Sequence, residues 1–302
     1  MPWLAITILF YLMLAIAFLV DKYLLAGSVP NPKALSFYIG MLGILSLFLA
    51  PFTGFYIPEI KQIALALLAG AFFTYALYWF FRALRLFEIS RVVPAIGGIS
   101  PFFILGLIYI FSGGKESLKS WEFLALILMV LGSVFITYEK EKKISLDSLK
   151  ISIIAAFFFA ISFVLTKYVY MQNSFWTGFI WTKIGGVLMA MFFLLSREVR
   201  GELFKAKMNF PKKTAVIFFA GQTMGFGANV LQNLAFAMAP LIYLSVISAL
   251  QGVQYAFLLA LAVFLSLKFP QILKEEMSKK IIGQKIFAIL LIGGGLAILA
   301  FK

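Results

Sequence analysis

Apolar residues run through this sequence in long blocks broken by short polar punctuation, and that pattern alone predicts the elements. A helix that crosses a bilayer needs about 20 mostly apolar residues. Ten blocks read as such helices: 3–25, 34–55, 60–83, 89–111, 118–138, 149–170, 175–196, 214–238, 241–267 and 281–301. The first block lacks a basic leader and a small-residue cleavage site, so it reads as a spanning helix rather than a signal peptide. The punctuation has turn chemistry: Ser28-Val29-Pro30-Asn31-Pro32, Gly113-Gly114-Lys115 and Pro240. The first strongly charged run, Glu139-Lys140-Glu141-Lys142-Lys143, divides the chain into 1–143 and 144–302. No connection is long enough for a separate soluble domain. The expected fold class is all-α integral membrane, with ten transmembrane helices.

The two halves echo each other. Ala15-Ile16-Ala17-Phe18-Leu19-Val20-Asp21-Lys22-Tyr23 returns as Ala160-Ile161-Ser162-Phe163-Val164-Leu165-Thr166-Lys167-Tyr168, with Ala, Ile, Phe, Lys and Tyr in the same places. Five crossings per half is an odd number, so a second copy of the unit lies upside down in the membrane relative to the first. Two inverted five-helix repeats are a recurring plan of secondary transporters, with the substrate held near the midplane between them.

Composition narrows the class. The chain is 63% hydrophobic and only 13% charged, about half the charged share of a soluble domain, so most of its surface must face lipid. It has no Cys and no His, which removes disulfides, thiol chemistry, the commonest general base and the commonest metal ligand. No metal or other cofactor is expected. The net charge of +14 suggests orientation rather than nucleic acid. Twenty of the 26 Lys and Arg fall in the odd-numbered connections and five on the opposite side, with Lys183 inside the seventh block. Basic residues collect in cytoplasmic loops, so the count places both termini outside a cell membrane that the chain crosses many times.

At Ala83-Leu84 through Glu88-Ile89-Ser90-Arg91-Val92-Val93-Pro94 the sequence resembles the drug/metabolite transporter superfamily, EamA type. A second instance of the element lies at Asn233-Leu234-Ala235, Pro240 and Ser245-Val246-Ile247-Ser248-Ala249. The resemblance covers the whole chain and is stronger as a pattern than residue by residue. It implies ten helices in two repeats and the export or exchange of small metabolites or drugs. The termini depart from it: better-known ten-helix members keep both in the cytoplasm.

The candidate site residues are the polar ones inside apolar helices. Lys183 stands about nine residues into its helix, and a lysine at the bilayer centre costs about 2.5–3.5 kcal/mol on insertion scales. It must face the interior and meet an anion or carbonyl dipoles. Asp21, Glu88 and Glu122 fall near helix ends, which leaves a substrate's negative group as its partner. Gln222, Gly225, Asn229 and Asn233 share one helical face and form a polar wall, joined by Gln251 and Gln254. Tyr78 and Trp79 are expected against the apolar part of a substrate. Pro94 and Pro101 are expected to bend the fourth helix, and Lys22 and Lys167, the basic pair of the repeat, to snorkel at opposite surfaces or guard the mouths of the path.

The expectation is a secondary transporter, not an enzyme. It moves a small amphipathic or anionic metabolite, such as an amino acid, by alternating access, as a monomer or homodimer in the bilayer. Two alternatives stand beside it: an exchanger of nucleotide sugars or phosphorylated metabolites, and a structural or regulatory membrane subunit with no path of its own. A membrane-embedded enzyme is disfavoured, because no paired carboxylates, His or Cys lie within the apolar blocks.

Overall fold

The computed structural model describes residues 2–26, 31–87, 89–137, 146–205, 212–268 and 279–300. All regular structure among them is helical: α1 (Pro2–Ala26), α2 (Pro32–Leu42), α3 (Ile60–Leu86), α4 (Ile89–Phe111), α5 (Ser120–Thr137), α6 (Leu146–Gln172), α7 (Phe175–Phe193), α8 (Arg197–Lys205), α9 (Lys212–Met238), α10 (Leu244–Ala249), α11 (Gln251–Lys268) and α12 (Lys279–Ala300), with 3-10 segments at Gly43–Phe52 and Leu241–Tyr243. Each block predicted from the hydrophobic pattern is helical.

Among the described residues, six stretches are long and apolar enough to cross a membrane: Pro2–Asp21, Pro32–Phe52, Ile60–Leu86, Leu149–Gln172, Phe175–Phe193 and Leu241–Leu258. Shorter apolar stretches occur at Ala95–Phe111, Ser120–Phe135 and Ile286–Leu299. The outer surface suits lipid, with Phe48, Phe52, Phe192, Phe219 and Leu290 all more than 60% exposed.

Local chemistry sets the helix ends. Asn31 caps α2 by accepting from the backbone of Lys33 at 2.9 Å and Ala34 at 3.3 Å, and Pro32 fills the first helical position. Gly113 and Gly114 end α4 in the left-handed region, at φ +62° and +78°, where a Cβ would be strained. Three details differ from the predicted blocks. The second block is an 11-residue α-helix continued by a ten-residue 3-10 helix that contains Pro51. The ninth is interrupted at Tyr243 and again at Leu250. The basic loop after α7 holds the short helix α8. Hydropathy reports neither helix type nor short polar helices.

The two halves interleave. α3 packs along α6 and α7, α1 along α9, α4 along α6, and α5 along α12. Small residues allow the closest of these approaches. A methyl added at Gly70 of α3 would run into the Thr182 carbonyl of α7 and lie 2.7 Å from the Gly186 nitrogen. One added at Gly185 of α7 would run into the backbone of Leu67. Backbones that touch in this way are how apolar helices associate where lipid removes the hydrophobic drive between them. α2 joins the same cluster: a methyl at Gly40 would lie 2.7 Å from the Ala190 Cβ and 3.3 Å from the Gly186 carbonyl. Between this group and the α1–α9 pair the packing opens into a cavity.

Candidate functional site

The cavity has a volume of about 180 Å³ and is walled by α1, α2, α3, α4, α6, α7, α9, α10 and α11. A smaller one of about 60 Å³ adjoins it among α2, α3, α6, α7 and α9. Lys183 and Asn229 line both, so the contact between them is a shared partition. The Lys183 Nζ donates to Asn229 Oδ1 at 2.5 Å. It also lies over the rings of Phe179, Phe73 and Phe226 at 5.1, 5.9 and 5.9 Å from their centroids. Ring faces attract a cation most where water is excluded. Together these contacts hold the ammonium on one amide oxygen and three rings. It makes no ion pair among the described residues.

The polar face of α9 forms a chain of hydrogen bonds. Asn233 Nδ2 donates to Asn229 O at 2.7 Å and Asn229 Oδ1 at 3.1 Å, and Tyr170 OH of α6 donates to Asn233 Oδ1 at 2.7 Å. Two turns towards the start of α9 from Asn229, Gln222 Nε2 donates to Asp21 Oδ1 of α1 at 3.3 Å. Gln251 and Gln254 of α11 line the larger cavity with Ser248 of α10 and Ser100 of α4. Gln254 is fully buried, and neither its amide nitrogen nor its amide oxygen has a hydrogen-bond partner. Ser100 Oγ is unpartnered too. Buried polar atoms are ordinarily satisfied, so these two stand out on the cavity wall as polar groups without a partner. The irregularity before α11 is supported from α1, where Tyr11 OH donates to the Ile247 carbonyl at 2.7 Å. That bond occupies an acceptor next to the helix break.

The structure thus brings Lys183, Gln222, Asn229, Gln251 and Gln254 to one cavity and Asn233 to the adjoining one. Tyr78 and Trp79 line neither. They sit at the end of α3 with the basic residues: Arg82 lies over the Trp79 ring at 5.0 Å and donates to Tyr78 OH at 3.5 Å, and Lys33 lies over Tyr78 at 5.6 Å. Aromatic rings beside basic side chains at a helix end match the interfacial belt of membrane proteins. The cavity face of α3 is Phe73, Leu77, Phe80 and Phe81.

Lys167, expected at a surface or a mouth, turns inward instead. It is 6% exposed and donates to the carbonyls of Ala237 at 3.1 Å and Ala239 at 2.6 Å, capping the end of α9. Pro101 is buried in α4 and lines neither cavity, and α4 runs unbroken past both prolines. It reaches the wall through Ile96 and Ser100. Pro94 and Lys22 lie on helical backbone, but their side chains are outside the described residues.

Asp21, assigned by sequence to a helix end, is 8% exposed and lines the larger cavity. The signal was available: Tyr11, Leu14, Phe18 and Asp21 recur at helical spacing on one face of α1, and all four line the cavity.

Fold and site together define an all-helical protein with helices long and apolar enough to cross a membrane, packed around a largely apolar cavity whose wall carries a few polar side chains. No known family's model matches the chain, and no curated protein matches it. A solved structure described as "Crystal structure of protein" shares the fold over 97% of each chain, at 15% identity and a TM-score of 0.66.

Proposed function

We propose that the chain is a secondary transporter built on the drug/metabolite transporter plan, with ten crossings in two inverted repeats, 1–143 and 144–302. It carries a small amphipathic or anionic metabolite across the cell membrane by alternating access. The helix pairings favour the repeat. Shifting every helix by five blocks turns the α3–α6 contact into the α9–α1 contact, and α4–α6 into α11–α1, and all four pairs pack. Other pairings break the pattern among the described residues: α3 packs tightly on α7 and α5 on α11, while their counterparts, α9 on α2 and α12 on α4, are absent from the main contacts. Two copies of a unit held in unequal arrangements are what alternating access requires, with the open side becoming the cavity.

The observation that carries the reading is Lys183. A lysine midway along an apolar helix, on the wall of a cavity and with no carboxylate bound to it among the described residues, is positioned for a ligand's negative group. The test is a thermal-stabilisation screen of purified protein against amino acids, sugar phosphates and nucleotide sugars, with Lys183→Ala alongside and flux into liposomes as the second readout. A ligand at one hundred times its dissociation constant adds about 2.7 kcal/mol. Anion-bearing ligands are expected to stabilise wild type, to lose that effect in the variant and to show saturable flux. Absence of flux for every stabilising ligand would favour the non-transporting subunit instead.

A further inference from the structure

The cavity wall carries one acidic and one basic side chain that do not meet. Asp21 and Lys183 both line it, yet each is bound to a neutral amide, Asp21 to Gln222 and Lys183 to Asn229. Among the described residues neither makes an ion pair, the one salt bridge being Lys33 with Glu198. Tyr11 is the only other ionisable side chain on the cavity wall among these residues. A buried charge without a counter-charge is expensive, and two held apart in one chamber are doubly so. A guest that carries both charges relieves both. A simple anion would satisfy Lys183 but face the Asp21 carboxylate. A simple amine would satisfy Asp21 but face the Lys183 ammonium.

The rest of the wall fits the same kind of guest. Phe73, Phe80 and Phe159 offer an apolar bed, and the unpartnered amide of Gln254 offers one donor and one acceptor at another point of the chamber. We infer that Asp21 is a specificity-determining residue, and that the cavity takes a small zwitterion with an apolar body, its cationic group at Asp21 and its anionic group at Lys183. This rests on the transporter reading and narrows it, because it excludes phosphorylated and other purely anionic cargo as the preferred substrate.

Three probes with the same branched apolar body separate the possibilities: leucine, 4-methylpentanoate, which lacks the amine, and 3-methylbutylamine, which lacks the carboxylate. Binding is read by calorimetry and thermal stabilisation on purified full-length protein. In wild type, leucine is expected to bind roughly tenfold or more tighter than either analogue. In Asp21→Asn, leucine should weaken by a similar factor while 4-methylpentanoate holds or gains, so the preference for the amine disappears. In Lys183→Gln the carboxylate should cease to matter and 3-methylbutylamine should bind at least as well as leucine.

An Asp21→Asn protein that keeps the wild-type ratio of leucine to 4-methylpentanoate overturns the inference. So does wild type that binds the simple anion as well as the zwitterion, a result that needs no variant to fold. If none of the three probes binds wild type while other anions stabilise it through Lys183, the inference fails and the transporter reading stands. If no ligand of any class binds, both fall.

Discussion

The contact between α3 and α7 can be broken or spared by the same chemical change made in two places. Gly70→Ala puts a methyl into the Thr182 carbonyl and 2.7 Å from the Gly186 nitrogen, where ordinary contact begins at 3.4 Å. Both neighbours are backbone and cannot swing aside, so the helices must part by upward of about 0.7 Å along their shared seam. Overpacking of this kind costs about 1–3 kcal/mol, against a gain of up to about 1 kcal/mol from replacing a mid-helix glycine, for a net loss of about 1 kcal/mol. Gly106→Ala in α4 is the control. A methyl there meets nothing within 4 Å, so only the propensity gain remains and the protein should be more stable by up to about 1 kcal/mol. Reversible unfolding in mixed micelles, followed by tryptophan fluorescence, reads both. Both variants share the propensity gain, so the expected gap between them is the overpacking cost, about 2 kcal/mol. Equal stabilities would mean that the two backbones do not touch, and the packing argument for this region would be wrong.

Other changes test other contacts. Tyr11→Phe keeps the ring and strands the Ile247 carbonyl, so it should destabilise by about 1–3 kcal/mol in the same assay; no change would mean that the helix break is satisfied another way. Lys167→Met removes the cap on the last turn of α9 and should cost about 1–2 kcal/mol, with faster hydrogen exchange confined to the end of that helix; protection equal to wild type would deny the cap. Tyr78→Phe and Trp79→Phe, lining neither cavity, should leave the affinity of any ligand found in the screen within about twofold of wild type, while Gln222→Leu should weaken it by about tenfold. Equal effects at the two places would move the site to the other face of α3.

Hydrophobic pattern located the helices because lipid-sized apolar runs have few other uses. Block 89–111 coincides with α4 at both ends, since a pair of left-handed glycines stops it on one side. The pattern was blind where helix type changes, as at Gly43, because an apolar stretch looks the same in either pitch. Within the site, Lys183, Asn229 and Asn233 were legible as polar residues that lipid would reject. Asp21 was legible by its face but not by its depth: it lies five residues from the end of α1, and counting from the end suggested the surface. Tyr78 and Trp79 misled for the opposite reason. Their half-polar rings suggest a binding face, yet the true cavity face of α3 is phenylalanine and leucine, which sequence cannot tell from residues that face lipid.

The 3-10 stretch Gly43–Phe52 has a consequence for how α2 meets α7. With 3.0 residues per turn, side chains three apart stand in straight rows. The exposure follows that rule: Gly43 and Ser46 are buried, while Ile44, Leu45, Leu47 and Phe48 are exposed in pairs between and after them. Over residues 43–48 the segment is a three-sided prism, with Gly43 and Ser46 on the side towards α7 and two sides given to lipid, before the same row runs out to the exposed Phe52. Its inner edge is therefore a straight rail, where an α-helix would present a seam that winds round its axis. Ser46 turns its hydroxyl back onto the Gly43 carbonyl at 2.8 Å, which leaves the rail smooth, with no polar hook to fix its register along α7.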